Sequence, residues 1–360
     1  NDVPIDSNNR GHFLWRHRQF IANEWRADIE ISYVADRSYY REFHEAAFKQ
    51  EKDRETILYL RKIYDNRGIT LLARKQLRDY DTLVDSQRLN RTNETLPELK
   101  YMRIGEPVWK DRLNFTSENE LAYQDRVIDR IAPIKKSEER FLGRGALLTA
   151  ERVFDRVPVR LEPEETVRFD TNNTLNAPFH LWSQRFNPSI GIRFTGYSES
   201  VSIDPVTGRN EGSGTARGRI ALPLGFDTST TLSRTYSVYN KLLNINRLRH
   251  IIIPELRFAF IPIVSQDPED LNQFDGTDSL DTFQSVRFGV RNRFQTKHGE
   301  TGGETPIDFA KFNLSFNLFP GNAGLNRKLD DFVELDLMLR LSDKLRFRSE
   351  NNEYNFDKGA

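Results

Sequence analysis

"WRADIEISY", Trp25 to Tyr33, alternates without a break: Trp25, Ala27, Ile29, Ile31 and Tyr33 are apolar or aromatic, while Arg26, Asp28, Glu30 and Ser32 are charged or hydroxylated. Successive side chains of a strand point to opposite sides, so the stretch predicts one apolar face and one polar face. Which face is wet decides the fold. A soluble sheet turns its apolar face to a core, whereas a membrane barrel turns it outward to lipid.

The pattern recurs along the chain. Ile220, Leu222, Leu224, Phe226 and Leu232 oppose Arg219, Ala221, Gly225, Asp227, Ser229, Thr231 and Ser233. Val286, Phe288, Val290 and Phe294 oppose Ser285, Arg287, Gly289, Arg291, Arg293 and Gln295, and Phe312, Leu314, Phe316 and Leu318 oppose Lys311, Asn313, Ser315 and Asn317. Near the end Val333, Leu335, Leu337, Leu339 and Leu341 face away from Glu334, Asp336, Arg340 and Ser342, with Met338 the exception. Turn signals between the runs come in two sizes. "DNRG" (Asp65 to Gly68) and "SDK" (Ser342 to Lys344) are short, whereas the segments from Asp204, Ser265 and Lys297 are long and rich in Gly, Asp, Asn or Pro. Between Tyr39 and Lys62 we expect a short helix, a polar loop through 44–54 and a strand. Pro158, Pro163 and Pro178 predict strands that are short, irregular or at an edge over 156–183.

Composition narrows the partners. Of the 360 residues, 53 are Lys or Arg and 53 Asp or Glu, with no long block of one sign, which points away from nucleic acid and from a polybasic membrane patch. Cysteine is absent, excluding disulfides, cysteine zinc sites and thiol catalysis. A mean hydropathy of -0.66 argues against a helical membrane protein but not a barrel, whose spanning strands need only every second residue apolar. The opening "NDVPIDSNNRG" has no basic segment followed by an apolar one, so no signal peptide is expected in it.

The chemistry-bearing residues are scattered. The six histidines form no HExxH or other compact ligand spacing, and His250 reads as a strand-end histidine at an interface. "EGSGTARG" around Gly212 lacks the GKS or GKT ending of a phosphate loop. Glu118 and Glu120 share a strand face as an acid–base pair would, but also as any solvated face would. The acidic segment from Gln266 to Asp281 could hold a divalent cation but lacks EF-hand spacing, so it reads first as a solvated loop. Arg287, Arg291 and Arg293 share one face and could receive phosphate or carboxylate groups, or could balance acids on neighbouring strands. No catalytic, cofactor-binding or metal-binding residue is expected.

A transmembrane antiparallel β-barrel is favoured over a soluble sandwich by the length of the runs, by aromatics at the ends of apolar faces, and by a mixed-charge opposite face suited to a watery lumen. A run such as Trp25 to Tyr33 spans about 26 Å along the strand at ~3.3 Å per residue. The expected lipid-facing residues are therefore Trp25, Ala27, Ile29, Ile31 and Tyr33. The expected lumen-facing residues are Arg26, Asp28, Glu30 and Ser32, with Arg287, Arg291 and Arg293.

Two stretches carry a family resemblance. Residues 10–43, with Arg10 and Gly11, the strand from Trp25, Asp36, Tyr39, Tyr40, Glu42 and Phe43, resemble the start of the barrel of the lipopolysaccharide-assembly family LptD; Ala35 stands where a serine is usual. Residues 249–275 are similar to a second family stretch through His250, Pro254, Phe258, Phe260, Pro262, Gln266, Phe274 and Asp275. There Ile253 replaces a common acidic residue, and phenylalanines replace tyrosines. The resemblance implies a non-enzymatic outer-membrane translocon that passes lipopolysaccharide to the outer leaflet, with membrane lipid around it. It also implies an LptE-like plug lipoprotein, a periplasmic lipopolysaccharide bridge joined through a jellyroll domain, and a lateral gate. No jellyroll is recognisable in residues 1–360, which we expect to be one segment, the amino-terminal and middle part of a barrel. A passive porin-like channel and a soluble glycan-binding β-protein are the alternatives.

Overall fold

The computed structural model describes residues 10–36, 39–49, 54–77, 91–128, 164–199, 201–203, 210–212, 214–241, 243, 245–298, 304–320, 330–341 and 345–356. Among these residues seventeen strands join in one sheet. The ladders run antiparallel from β1 (His12–Ile21) and β2 (Trp25–Val34) through β3 (Thr56–Tyr64), β4 (Arg67–Lys75), β5 (Arg91–Val108) and β6 (Leu113–Ile128). They continue through β7 (Glu164–Asn176), β8 (Phe179–Leu181) and β9 (Gln184–Tyr197). A separate small hairpin joins β10 (Val201–Ile203) to β11 (Asn210–Gly212). The sheet resumes with β12 (Arg217–Ala221), β13 (Leu224–Thr230), β14 (Leu232–Asn240) and β15 (Ile245–Ile261). It ends with β16 (Phe283–His298), β17 (Thr305–Leu318), β18 (Phe332–Arg340) and β19 (Arg346–Asn355). Among the described residues no ladder joins β19 to β1.

Burial is inverted relative to a soluble sheet. Along β7 the polar Thr166, Arg168 and Asp170 are buried, whereas Val167 and Phe169 between them are 43% and 41% exposed. The same holds across the sheet: Thr195, Arg219, Thr296 and Ser315 are covered, while Ile192, Phe194, Ile220 and Phe288 are open. A sheet that exposes this much apolar surface needs an apolar surrounding, because water would not tolerate so extensive a patch. No described helix is long and apolar enough to cross a membrane, which says nothing of strands.

Alternate connections fall on opposite rims. One rim has tight turns, such as the three-residue connection of β1 to β2, where Asn23 and Glu24 both adopt positive φ (60° and 66°). Trp109 and Trp182 project from turns on that rim, 67% and 94% exposed, and Trp25 begins its strand there. The opposite rim carries the long connections, including α1 (Tyr39–Phe43) and α2 (Glu45–Lys49), whereas the segment from Lys297, expected to be long, lies on the tight-turn rim, its Lys297 and His298 paired with Pro306 and Thr305 of the next strand. Tyr40 and Val34 form a small buried cluster under them, with Tyr39 and Ala47 packed against it.

Three expectations change in detail. The polar loop expected through 44–54 contains α2, stabilised by an i,i+4 pair between Lys49 and Glu45 at 2.6 Å. From Glu164 onward the chain forms a long ribbon rather than irregular strands. β7 and β8 keep one register along β9 and are interrupted only around Pro178, which has no N–H to give the ladder. Likewise β12, β13 and β14 share one face despite breaks at Leu222–Pro223 and Thr231. Pro158, Pro163 and the Ser342–Lys344 turn lie outside the described residues.

Candidate functional site on the polar inner face

The charged residues of the opening stretch are knitted to their neighbours. Arg16 meets Glu30 at 2.9 Å, and Asp28 receives both Arg18 at 2.5 Å and Arg26 at 2.6 Å. Ser32 is buried, and its N–H donates to Thr56 Oγ1 at 3.2 Å. On the other face Tyr33 is exposed, Trp25, Ile29 and Ile31 are half-buried, and Ala27 is covered beside Leu60. Arg287, Arg291 and Arg293 share one face of β16, as alternation requires, and bind Glu334, Glu255 and Asp308 at 3.0, 2.8 and 3.1 Å.

A denser site lies under the connection from β15 to β16. Registers align Glu120, Asp170, Thr195 and Arg219 in one row across β6, β7, β9 and β12. Arg168 and Tyr197 sit in the next. The segment Ser265–Asp281 folds back over these rows, with a short 3-10 turn at Pro268–Asp270 and Leu271, Asn272 and Phe274 buried. Arg168, 0% exposed, donates to Asp278 at 2.8 and 2.9 Å, to Asp275 at 2.6 and 3.0 Å, and to Glu120 at 2.6 Å. Tyr197 donates its hydroxyl to Asp278 at 2.7 Å. Arg219 caps the carbonyls of Asp278 and Leu280 at 2.7 and 3.2 Å, and Asn93 donates to the carbonyl of Phe274 at 2.6 Å.

Asp278 also accepts the N–H groups of Phe274 and Asp275, at 2.8 and 3.0 Å, so one carboxylate closes the loop on itself and ties it to the wall. Burial pushes the Asp275 carboxyl up, but the Arg168 guanidinium and the Thr277 N–H outweigh it and bring it down to about 2. Such a cluster can keep charges out of water because each carboxylate meets a guanidinium, a hydroxyl or a backbone N–H, although the Nε groups of Arg168 and Arg219 stay buried without a partner.

The sequence profile of the LptD family, LPS transport system D, matches residues 8–317. The chain belongs to the LptD family. It is therefore an outer-membrane β-barrel protein of lipopolysaccharide transport. No curated protein matches the sequence.

Both stretches that carried the resemblance now have physical roles in this LptD-family barrel. Arg10 binds Asp36 at 2.5 Å and Glu42 at 2.7 Å and lies 4.8 Å over the Phe43 ring, beside the Tyr39–Tyr40 pair. In the second stretch Phe274 and Asp275 anchor the inner loop, whereas His250 stacks on Phe294 at 4.1 Å on the opposite face.

Sequence reading did not single out Arg168 or Tyr197, and it placed Arg219 only on a polar strand face and Asp278 only within an acidic segment. Glu120 looked like half of an acid–base pair; it instead binds Arg168 and Lys100. The acidic segment looked like a solvated loop or a cation site, and its Asp275 and Asp278 are taken by arginine. Among the described residues no group of His, Asp and Glu is placed to hold a metal. The one available signal was Arg168 and Asp170 alternating with Val167 and Phe169, the same pattern as the opening stretch.

Proposed function

We propose that this chain is the amino-terminal and middle part of a translocon wall that inserts lipopolysaccharide into the outer leaflet. The observation that carries the reading is the inverted burial: a continuous polar face suits the hydrated sugars of an amphiphile, and an exposed apolar face suits lipid. Trp25, Ala27, Ile29, Ile31 and Tyr33 then face lipid. Arg26, Asp28, Glu30 and Ser32 face the lumen with Arg287, Arg291 and Arg293. The rim with long connections faces outside and the Trp-bearing tight turns face the periplasm, following the loop asymmetry of such barrels. The clamped loop Ser265–Asp281 narrows the outer half of the passage. An LptE-like plug and a periplasmic bridge, joined through a jellyroll domain, are the partners this reading requires.

Depletion of the full-length parent in its own cells tests the function. Lipopolysaccharide should disappear from the cell surface and accumulate behind it; unchanged surface lipopolysaccharide would overturn the proposal. A cysteine scan of Trp25 to Tyr33 tests the facing. Odd positions should react with lipid-phase thiol reagents and even ones with water-soluble reagents, and odd positions sealed from both would indicate a protein core.

A further inference from the structure

We propose that Arg185, Arg257, Arg287 and Arg291 form a subsite for a phosphorylated sugar on the polar inner face, where β9 and β13 meet β15 and β16. It rests on the reading that this face lines the passage. Asn187, Asp227, Arg257 and Arg287 fall in one row across β9, β13, β15 and β16, and Arg185, Ser229, Glu255 and Gly289 fall in the next. Together with Thr228, Leu256 and Arg291 the polar members of these rows line an open cavity of about 210 Å³. Four arginines and two acidic residues therefore border one space, with the Arg287 guanidinium turned from it towards Glu334.

The cations are only partly used. Arg257 holds Asp227 at 2.6 Å and Arg291 holds Glu255 at 2.8 Å, while Arg287 reaches out of the cavity to Glu334 at 3.0 Å. Among the described residues the Arg185 side chain has no ion pair, and the Arg287 Nε is buried without a hydrogen-bond partner. A guanidinium has five N–H donors and one carboxylate engages at most two, so donors remain for an incoming anion.

Gly289, beside the cavity, makes room for the Glu255 side chain. A Cβ there would sit 3.1 Å from Glu255 Cγ, against the side chain that crosses this strand to reach Arg291. The Asn187 amide and Ser229 hydroxyl add uncharged groups able to meet sugar hydroxyls. A tetrahedral phosphate dianion can be approached by several guanidinium groups at once, whereas a planar carboxylate favours a single fork. Arg293 lies farther along the strand, is held by Asp308 and does not line the cavity.

The test is titration of the purified full-length protein, with its plug partner, by glucose 6-phosphate, glucuronate and glucose, followed by saturation-transfer NMR. Glucose 6-phosphate should bind, glucuronate at least threefold more weakly, and glucose not measurably. R185Q and R257Q should each weaken glucose 6-phosphate at least threefold and together at least tenfold. R348Q, on another strand and outside the cavity, should leave binding unchanged, and heat-modified gel mobility should confirm that every variant is folded. Equal binding of glucose, equal binding of glucuronate, or wild-type affinity in the folded double variant would each overturn the subsite. If glucose 6-phosphate binds as expected but depletion leaves surface lipopolysaccharide unchanged, the transport reading fails and the subsite stands. Normal transport without phosphosugar binding sinks the subsite alone.

Discussion

Arg168 and Arg291 stand on the same polar face of one sheet, each 2.8 Å from a carboxylate, yet their surroundings differ completely. Arg168 and its partner Asp278 are wholly buried; Arg291 is half exposed. The only new ingredient is the loop Ser265–Asp281 lying over the first pair. Covering an ion pair removes its water and makes each partner depend on the other, whereas an open pair exchanges freely with solvent and ions. One region is therefore built to hold chain against chain, and the other is left with donors to spare.

Substituting Arg168 should break this contrast most severely. R168Q leaves Asp275, Asp278 and Glu120 without their shared cation, and loss of one partner from a buried ion pair costs about 3–5 kcal/mol. Limited proteolysis within 265–281 should become rapid, and a loop as protected as in the wild type would remove the clamp from the account. On β2 the two faces can be compared directly. Ile29→Arg should cost about 2–4 kcal/mol if it lies near the midplane, read as lost assembly in the outer membrane, while Asp28→Asn, which keeps a polar group between Arg18 and Arg26, should be mild. Equal effects would contradict the assigned facing.

Y197F removes one hydrogen bond to a buried carboxylate and should loosen the loop by about 1.5–3 kcal/mol, again visible as faster cleavage. Acid sharpens the comparison further. The folded Asp275 carboxyl, at about 2, lies below its ordinary value. Its contribution is therefore complete above the usual carboxylate range, near pH 4, and is lost as pH falls towards 2. Cleavage by an acid protease should accelerate through that window in the wild type and less so in D275N. The smallest effect belongs to R291Q, whose pair is half in water: thermal unfolding should move by about 1 kcal/mol or less. A larger change would mean that this region is as tightly built as the clamp.

Much of the wall was legible because its signal is local. Alternation is a property of neighbouring residues, so the strands around Ile29, Phe288 and Leu314 and the sharing of a face by Arg287, Arg291 and Arg293 could be read without knowing any pairing. The proline-bearing stretch was misjudged because a proline costs a ladder only one donor, and β7 and β8 resume the same register on either side. The helix α2 was lost in a segment read as polar loop.

The clamp was not legible. Arg168 and Asp278 are 110 residues apart, and nothing in either neighbourhood names the other. Their meeting depends on which strands adjoin and on a loop that turns inward rather than out. The amino-acid sequence by itself determined the two-faced strands and, through two motifs, the family. Only the tertiary structure decided which polar residues converge, because inter-strand register and loop placement are set by long-range packing that local alternation does not encode.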